Sequence, residues 1–116
     1  MIRTKKLGNQ AEDRARLFLQ NHGLTFVAAN VYSRFGELDL VMQDKSCWVA
    51  VEVKYRRSDQ YGDAIEFVTP RKLAKIRITF EQFLIKQGLN PASTPMRIDV
   101  IAVNSSRLDW LQNVAQ

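Results

Sequence analysis

The stretch Gly36–Arg57, GELDLVMQDKSCWVAVEVKYRR, is apolar enough to sit in a protein core, yet it carries Glu37, Asp39, Glu52 and Lys54. Moving a carboxylate or an ammonium out of water costs several kcal/mol unless it is paired or bound to a metal, so charges set inside core strands need a cause. The polar step Gln43-Asp44-Lys45 divides the stretch into two strands, ELDLVM and SCWVAVEVKY, joined by a tight hairpin. Side chains alternate along a strand. Glu37, Asp39 and Val41 therefore share one face of the first strand and Leu38, Leu40 and Met42 the other, while Trp48, Ala50, Glu52 and Lys54 share a face of the second. A hairpin loop with an even number of residues sets Asp39 and Glu52 on the same face, and an odd loop separates them. In the even register their Cβ atoms lie roughly 5 to 8 Å apart, a gap two carboxylates can bridge through one cation, with Lys54 about 6.6 Å further along.

Two carboxylates facing each other repel, the more so at low dielectric, so something positive belongs between them. Lys54 and Arg34 could supply it as a salt-bridge network holding the hairpin. The other solution is a metal: oxygen donors with no His or Cys cluster suit hard Mg²⁺ or Mn²⁺ rather than zinc. The lone His22 reads as solvent-exposed, and Cys47, the one cysteine, as a small buried hydrophobe. A hard divalent ion on two carboxylates beside a lysine suits chemistry at phosphate, with phosphodiester hydrolysis the natural candidate.

Outward from the hairpin, Ala11, Ala15, Phe18 and Leu19 recur at helical spacing between Asn9 and Asn21, with Gly23 as a stop. LTFVAANVYS forms a strand ending in a turn at Arg34–Gly36. A second helix starts at the N-cap Thr69 with Pro70 behind it, presents Ile76, Phe80, Phe83 and Leu84 to the sheet, and ends near Gly88. MRIDVIAV is a buried fourth strand, and RLDWLQNVAQ adds an edge strand or a short helix. The order helix, three strands, helix, strand predicts a mixed α/β sheet with helices packed on it and a parallel pair across the helical crossover.

The 116 residues suit one domain spanning 1–116, and 46% hydrophobic with 25% charged residues excludes a disordered chain or a disulfide scaffold. The longest apolar runs fall short of the roughly 20 residues that cross a bilayer, and the start MIRTKKLGNQ lacks the apolar block of a signal peptide, which predicts a cytoplasmic protein with no membrane partner. Seventeen Lys and Arg against twelve Asp and Glu leave a net charge of +5, which favours polyanionic partners.

Asp39, twelve residues, then Glu52-Val53-Lys54 resembles the D…(D/E)xK signature of restriction-endonuclease-like nucleases. The longer run GELDLV…VAVEVKYRRSDQYGDAIEFVTPRK, with LGNQAEDRA before it and RIDVIAV after it, resembles the YraN-like family of uncharacterised, nuclease-related bacterial proteins over nearly the whole chain. The resemblance implies a single-domain restriction-endonuclease-like α/β fold, PD-(D/E)xK in type. Asp39 and Glu52 would ligate Mg²⁺ or Mn²⁺, and Lys54 would position the attacking water and steady the scissile phosphate. Glu12 would be a further ligand and Glu37 a secondary ligand or a brace. Arg34, Arg56, Arg57, Arg71 and Lys72 are the basic groups nearest the site, Gln60 and Thr69 could also meet the phosphate backbone, and Tyr55 and Tyr61 could stack on unpaired bases. DNA is favoured over RNA, at branched or irregular structures in the manner of junction resolvases, and relatives of that kind pair as homodimers. Two other readings stay open: a nucleic-acid-binding module that no longer cuts, and a protein-interaction domain holding its acids in salt bridges.

Overall fold

The computed structural model describes the backbone of residues 2–56 and 68–115 and the side chains from residue 9 onward. The expectations placed on Arg57, Gln60 and Tyr61 lie outside the described residues. In chain order the elements are α1 (Ile2–Asn21), β1 (Thr25–Ser33), β2 (Gly36–Asp44), β3 (Cys47–Tyr55), α2 (Pro70–Lys86), a 3₁₀ turn (Pro91–Ser93), β4 (Met96–Val103) and β5 (Leu108–Leu111). The five strands form one mixed sheet in the order β1-β2-β3-β4-β5. All neighbours are antiparallel except β3 and β4, which run parallel, as a helical crossover between them requires.

Local chemistry sets the element ends. Helix α1 stops where Gly23 takes φ 94° and the Leu24 N–H reaches back to the Leu19 carbonyl at 3.0 Å. It begins at Ile2 rather than Asn9, because the residues before Ala11 carry no apolar repeat for the sequence to reveal. The Thr69 hydroxyl accepts the Lys72 N–H at 3.2 Å and caps α2, with Pro70 in the first turn where its missing donor costs nothing. The β2–β3 loop is the two residues Lys45-Ser46, with Lys45 left-handed at φ 58°, which fixes the even register.

Two apolar layers bury the sheet. Ala11, Ala15 and Leu19 of α1 pack on Leu40, Met42, Val49, Val51, Ile101 and Val103. On the other side Ile76, Phe80 and Leu84 of α2 pack on Val41, Ala50, Ile98 and Leu38. Leu38 corrects the simple alternation: it joins the α2 layer, whereas Leu40 faces α1, so the period-two pattern breaks between them, at Asp39. Cys47 is half-buried at the hairpin rather than in the core, and burial pushes its thiol up.

The tail forms an edge strand and closes a buried polar knot. Asp99 is fully buried, yet both of its oxygens are matched: Arg97 Nε donates at 3.1 Å, Trp110 Nε1 at 3.0 Å and the Asn113 N–H at 2.9 Å. Arg97 also pairs with Asp44 at 3.0 Å, tying β4 to the β2–β3 hairpin. Asp99→Ala should therefore destabilise the protein by roughly 3 to 5 kcal/mol, since it leaves buried donors without acceptors. Urea unfolding of the two proteins measures it.

Candidate active site

The β2–β3 ladder runs from Asp44 opposite Cys47 to Leu40 opposite Val51, and its next position sets Asp39 opposite Glu52. There the backbone pairing gives way. On the β1 side the pairing passes from Ala29–Leu40 to Val31–Leu38 around Asn30, which is left-handed at φ 55°. On the β3 side the Val53 N–H donates not to a β2 carbonyl but to Asp39 Oδ2, at 2.8 Å. Asp39 is thus held by the backbone of β3, and the regular ladder stops before the pair.

Glu52 is 5% exposed, and its Oε2 is buried without a hydrogen-bond partner among the described residues. Burial, followed by the facing charge of Asp39, pushes its carboxyl up to about 8. Asp39 is raised by burial and by Glu37, while the Val53 N–H and the Lys54 and Lys72 charges pull it down. Glu12 reaches the same cluster from α1: burial first, then Asp39, Glu37 and Asp13, push it up to about 7. Glu37 sits directly across from Tyr32 of β1, whose exposed hydroxyl its charge pushes up. The structure therefore brings Glu12, Glu37, Asp39 and Glu52 into one electrostatic neighbourhood.

Lys54, half-buried, lies within the field of both central acids and beside the like-charged Lys72. Burial and Lys72 lower its pKa against the opposing pull of Glu52 and Asp39. Among the described residues neither acid closes an ion pair with Lys54 or Arg34, so the salt-bridge network that the sequence allows is not formed. A cleft of about 300 Å³ opens beside the pair, lined by Phe35, Gly36, Glu37 and Glu52 on the sheet side and by Thr69, Arg71, Lys72, Lys75 and Ile76 from the start of α2.

Thr69, Arg71 and Lys72, which the sequence reading sets near the phosphate backbone, line this cleft. Lys75 was missed, although it follows Lys72 by one helical turn just ahead of the buried stripe Ile76, Phe80, Leu84. Arg34 stands over the Phe35 ring, 5.3 Å from its centre, at the rim. Arg56 follows β3, its N–H bonded to the Val103 carbonyl at 2.7 Å, and does not line the cleft. Tyr55 is 37% exposed at the end of β3. His22 is exposed, with its ring against the Phe18 carbonyl.

Hard oxygen donors and one buried unmatched oxygen fit a divalent cation that would sit between Asp39 and Glu52. Among the described residues no three His, Cys, Asp or Glu side chains form a ready-made ligand cage, so water and substrate oxygens would have to complete the shell. Among the same residues, no helix is long and apolar enough to cross a membrane.

These features define a class: a mixed α/β sheet protein with facing carboxylates and a lysine at a parted hairpin. The chain belongs to a family within it, Uncharacterised protein family UPF0102, whose model matches residues 11–103. This is the YraN-like family that the motifs resemble. A UPF0102 protein of Shewanella frigidimarina is 48% identical over 105 residues, covering 90% of this chain and 94% of its own. A Photorhabdus laumondii relative is 42% identical over 107 residues, 92% of this chain and 85% of that one. One from Yersinia pseudotuberculosis is 42% identical over 106 residues, 91% of each.

The acid pair makes the metal-free protein sensitive to pH in a stated direction. The folded Glu52 value of about 8 lies above its ordinary 4.5, so stability is fully present below 4.5 and is lost as pH rises through about 8. Glu12, raised to about 7, adds loss of the same sign. Glu52→Gln should raise the unfolding midpoint in chelator above about pH 8 and leave it nearly unchanged below pH 4.5. Thermal unfolding across that range, with EDTA present, measures the difference.

Proposed function

We propose that this protein is a metal-dependent nuclease-like domain of the restriction-endonuclease-like type, hydrolysing phosphodiester bonds in DNA at branched or otherwise irregular structures. The observation that carries the reading is the Asp39–Glu52 pair: half-buried Asp39 lies beside buried Glu52, one Glu52 oxygen unmatched, with a lysine in their field.

Asp39 and Glu52 would hold Mg²⁺ or Mn²⁺, with Glu12 and Glu37 as outer acids that orient its waters. When bound, such an ion neutralises charge developing on the phosphate and lowers the pKa of a coordinated water. The chain's own groups have separate tasks. The Val53 N–H fixes the Asp39 carboxylate, so its geometry is set before substrate arrives. Lys54 would orient the attacking water and steady the scissile phosphate. Lys72, beside Lys54, would share the anionic charge. Arg71 and Lys75, on the far wall of the cleft, would take neighbouring phosphates, a charge contact that carries affinity and no sequence preference.

A cleavage panel of linear, single-stranded, flapped and four-way DNA in Mg²⁺ or Mn²⁺, run beside Asp39→Ala, tests the reading. Wild type should cut at least one irregular substrate, and Asp39→Ala should lose at least about a hundredfold in rate, the scale of removing a group that fixes the metal. Equal product from both proteins, or none from either on every substrate, refutes it. Retention of DNA without cleavage, unchanged in Asp39→Ala, would instead mark a binding module that keeps the site's shape.

A further inference from the structure

Two exposed aromatic rings lie beside the acid pair with no role in the chemistry just proposed. Tyr32 is 69% exposed, although it is a large apolar side chain in a strand. Its cross-strand partner is Glu37, which places it beside the acid cluster. Three residues on, Phe35 is 39% exposed and lines the cleft with Glu37 and Glu52. The Arg34 guanidinium lies 5.3 Å from the centre of that ring.

The turn that carries Arg34 and Phe35 is braced. The Phe35 N–H donates to Ser33 Oγ at 3.0 Å, and Ser33 Oγ bonds to Thr79 Oγ1 of α2 at 2.7 Å, with Thr79 1% exposed. Rings held on a fixed turn lose little freedom when something flat is laid on them. Facing them across the cleft are Arg71, Lys72 and Lys75, which suit phosphates. A flat apolar platform on one wall and cations on the other match the two halves of a nucleotide.

We propose that Tyr32 and Phe35, with the Arg34 guanidinium, form a stacking platform for unpaired nucleobases next to the phosphate held at Asp39 and Glu52. The proposal rests on the nuclease-like reading for its substrate class and adds the selectivity: strands whose bases are already free of a duplex. Each base has a π face, so the platform is tolerant of sequence, whereas bases stacked inside a duplex do not present that face to it. The cations of α2 set how the strand lies across the cleft, bases toward the β1–β2 turn and flanking phosphates toward α2.

The test is binding in an Asp39→Asn background, which removes cleavage from the measurement. Fluorescence anisotropy compares a labelled fork, duplex with a single-stranded arm, with a blunt duplex of the same length, and 2-aminopurine in the arm reports stacking by its quenching. The unmutated platform should prefer the fork and quench the probe. Tyr32→Ala with Phe35→Ala should weaken fork binding at least about tenfold, since one base–aromatic stack is worth roughly five- to a hundredfold, and should abolish the quenching with duplex affinity unchanged. Tyr32→Phe, which keeps the ring and loses only the hydroxyl, should retain the preference. Equal loss on fork and duplex, no loss on either, or no binding of either DNA overturns the proposal. So does a dimer of this chain that the ring substitutions dissolve with fork binding intact. The two readings fail separately: cleavage unaffected by the ring substitutions sinks the platform alone, and a ring-dependent fork preference in a wild type that never cuts sinks the nuclease alone.

Discussion

Glu52 sets the terms for the rest of the site, because a carboxyl 5% exposed and set opposite a second acid is an arrangement that folding alone disfavours. Three features of the fold hold it there against that cost. The two-residue Lys45-Ser46 loop fixes the register that opposes the acids. The end of the β2–β3 ladder at Leu40–Val51 gives Asp39, beside Glu52, the Val53 N–H in place of a ladder bond. The parallel β3–β4 pairing continues without interruption from Trp48 to Tyr55, so β3 stays anchored on one edge while it is released on the other.

From that constraint the placement of the cations follows. A pair of acids partly masked from solvent draws positive groups from every element within reach, and the chain supplies them from β3 as Lys54 and from the first turns of α2 as Arg71, Lys72 and Lys75. The α2 start is aimed at the cleft because its stripe Ile76, Phe80, Leu84 must lie on Val41 and Ala50, and carrying that stripe one turn toward the N-terminus brings up Lys72 and Thr69. Packing deep in the layer therefore positions groups at its rim. Acid on the sheet side and base on the helix side is a consequence of burial as much as of charge.

Much of this was legible in the sequence. Period-two alternation and a short polar step predict Asp39 opposite Glu52, because register in a hairpin is a matter of loop parity. Helix α2 was legible from Thr69-Pro70 and its stripe. The break at Asp39 was not, since it depends on Asn30 taking φ 55° in the neighbouring strand, and nothing in ELDLVM signals that Leu38 will turn toward α2 while Leu40 turns toward α1. The Lys54–Lys72 contact and the Arg97–Asp99–Trp110 knot were hidden for a related reason. They join residues from separate elements whose sequence separation carries no periodic signature.

The knot also bears on how Glu52 should be understood. Asp99 and Glu52 are both buried carboxylates in central parallel strands of one protein, and their surroundings differ in kind. Around Asp99 the chain has placed a guanidinium, an indole N–H and a backbone N–H, so that both oxygens are matched by internal donors. A sequence able to build that solution for a structural acid leaves Glu52 Oε2 without a donor among the described residues, although Lys54 and Lys72 stand close enough to influence it. Buried polar atoms are matched as a rule, and an unmatched one at the edge of a cleft is the mark of a partner that arrives with the ligand. Were the acids there to brace the hairpin, Lys54 would close on Glu52 as Arg97 closes on Asp99; among the described residues it forms no such ion pair, which supports the reading that the missing partner is a cation from solution.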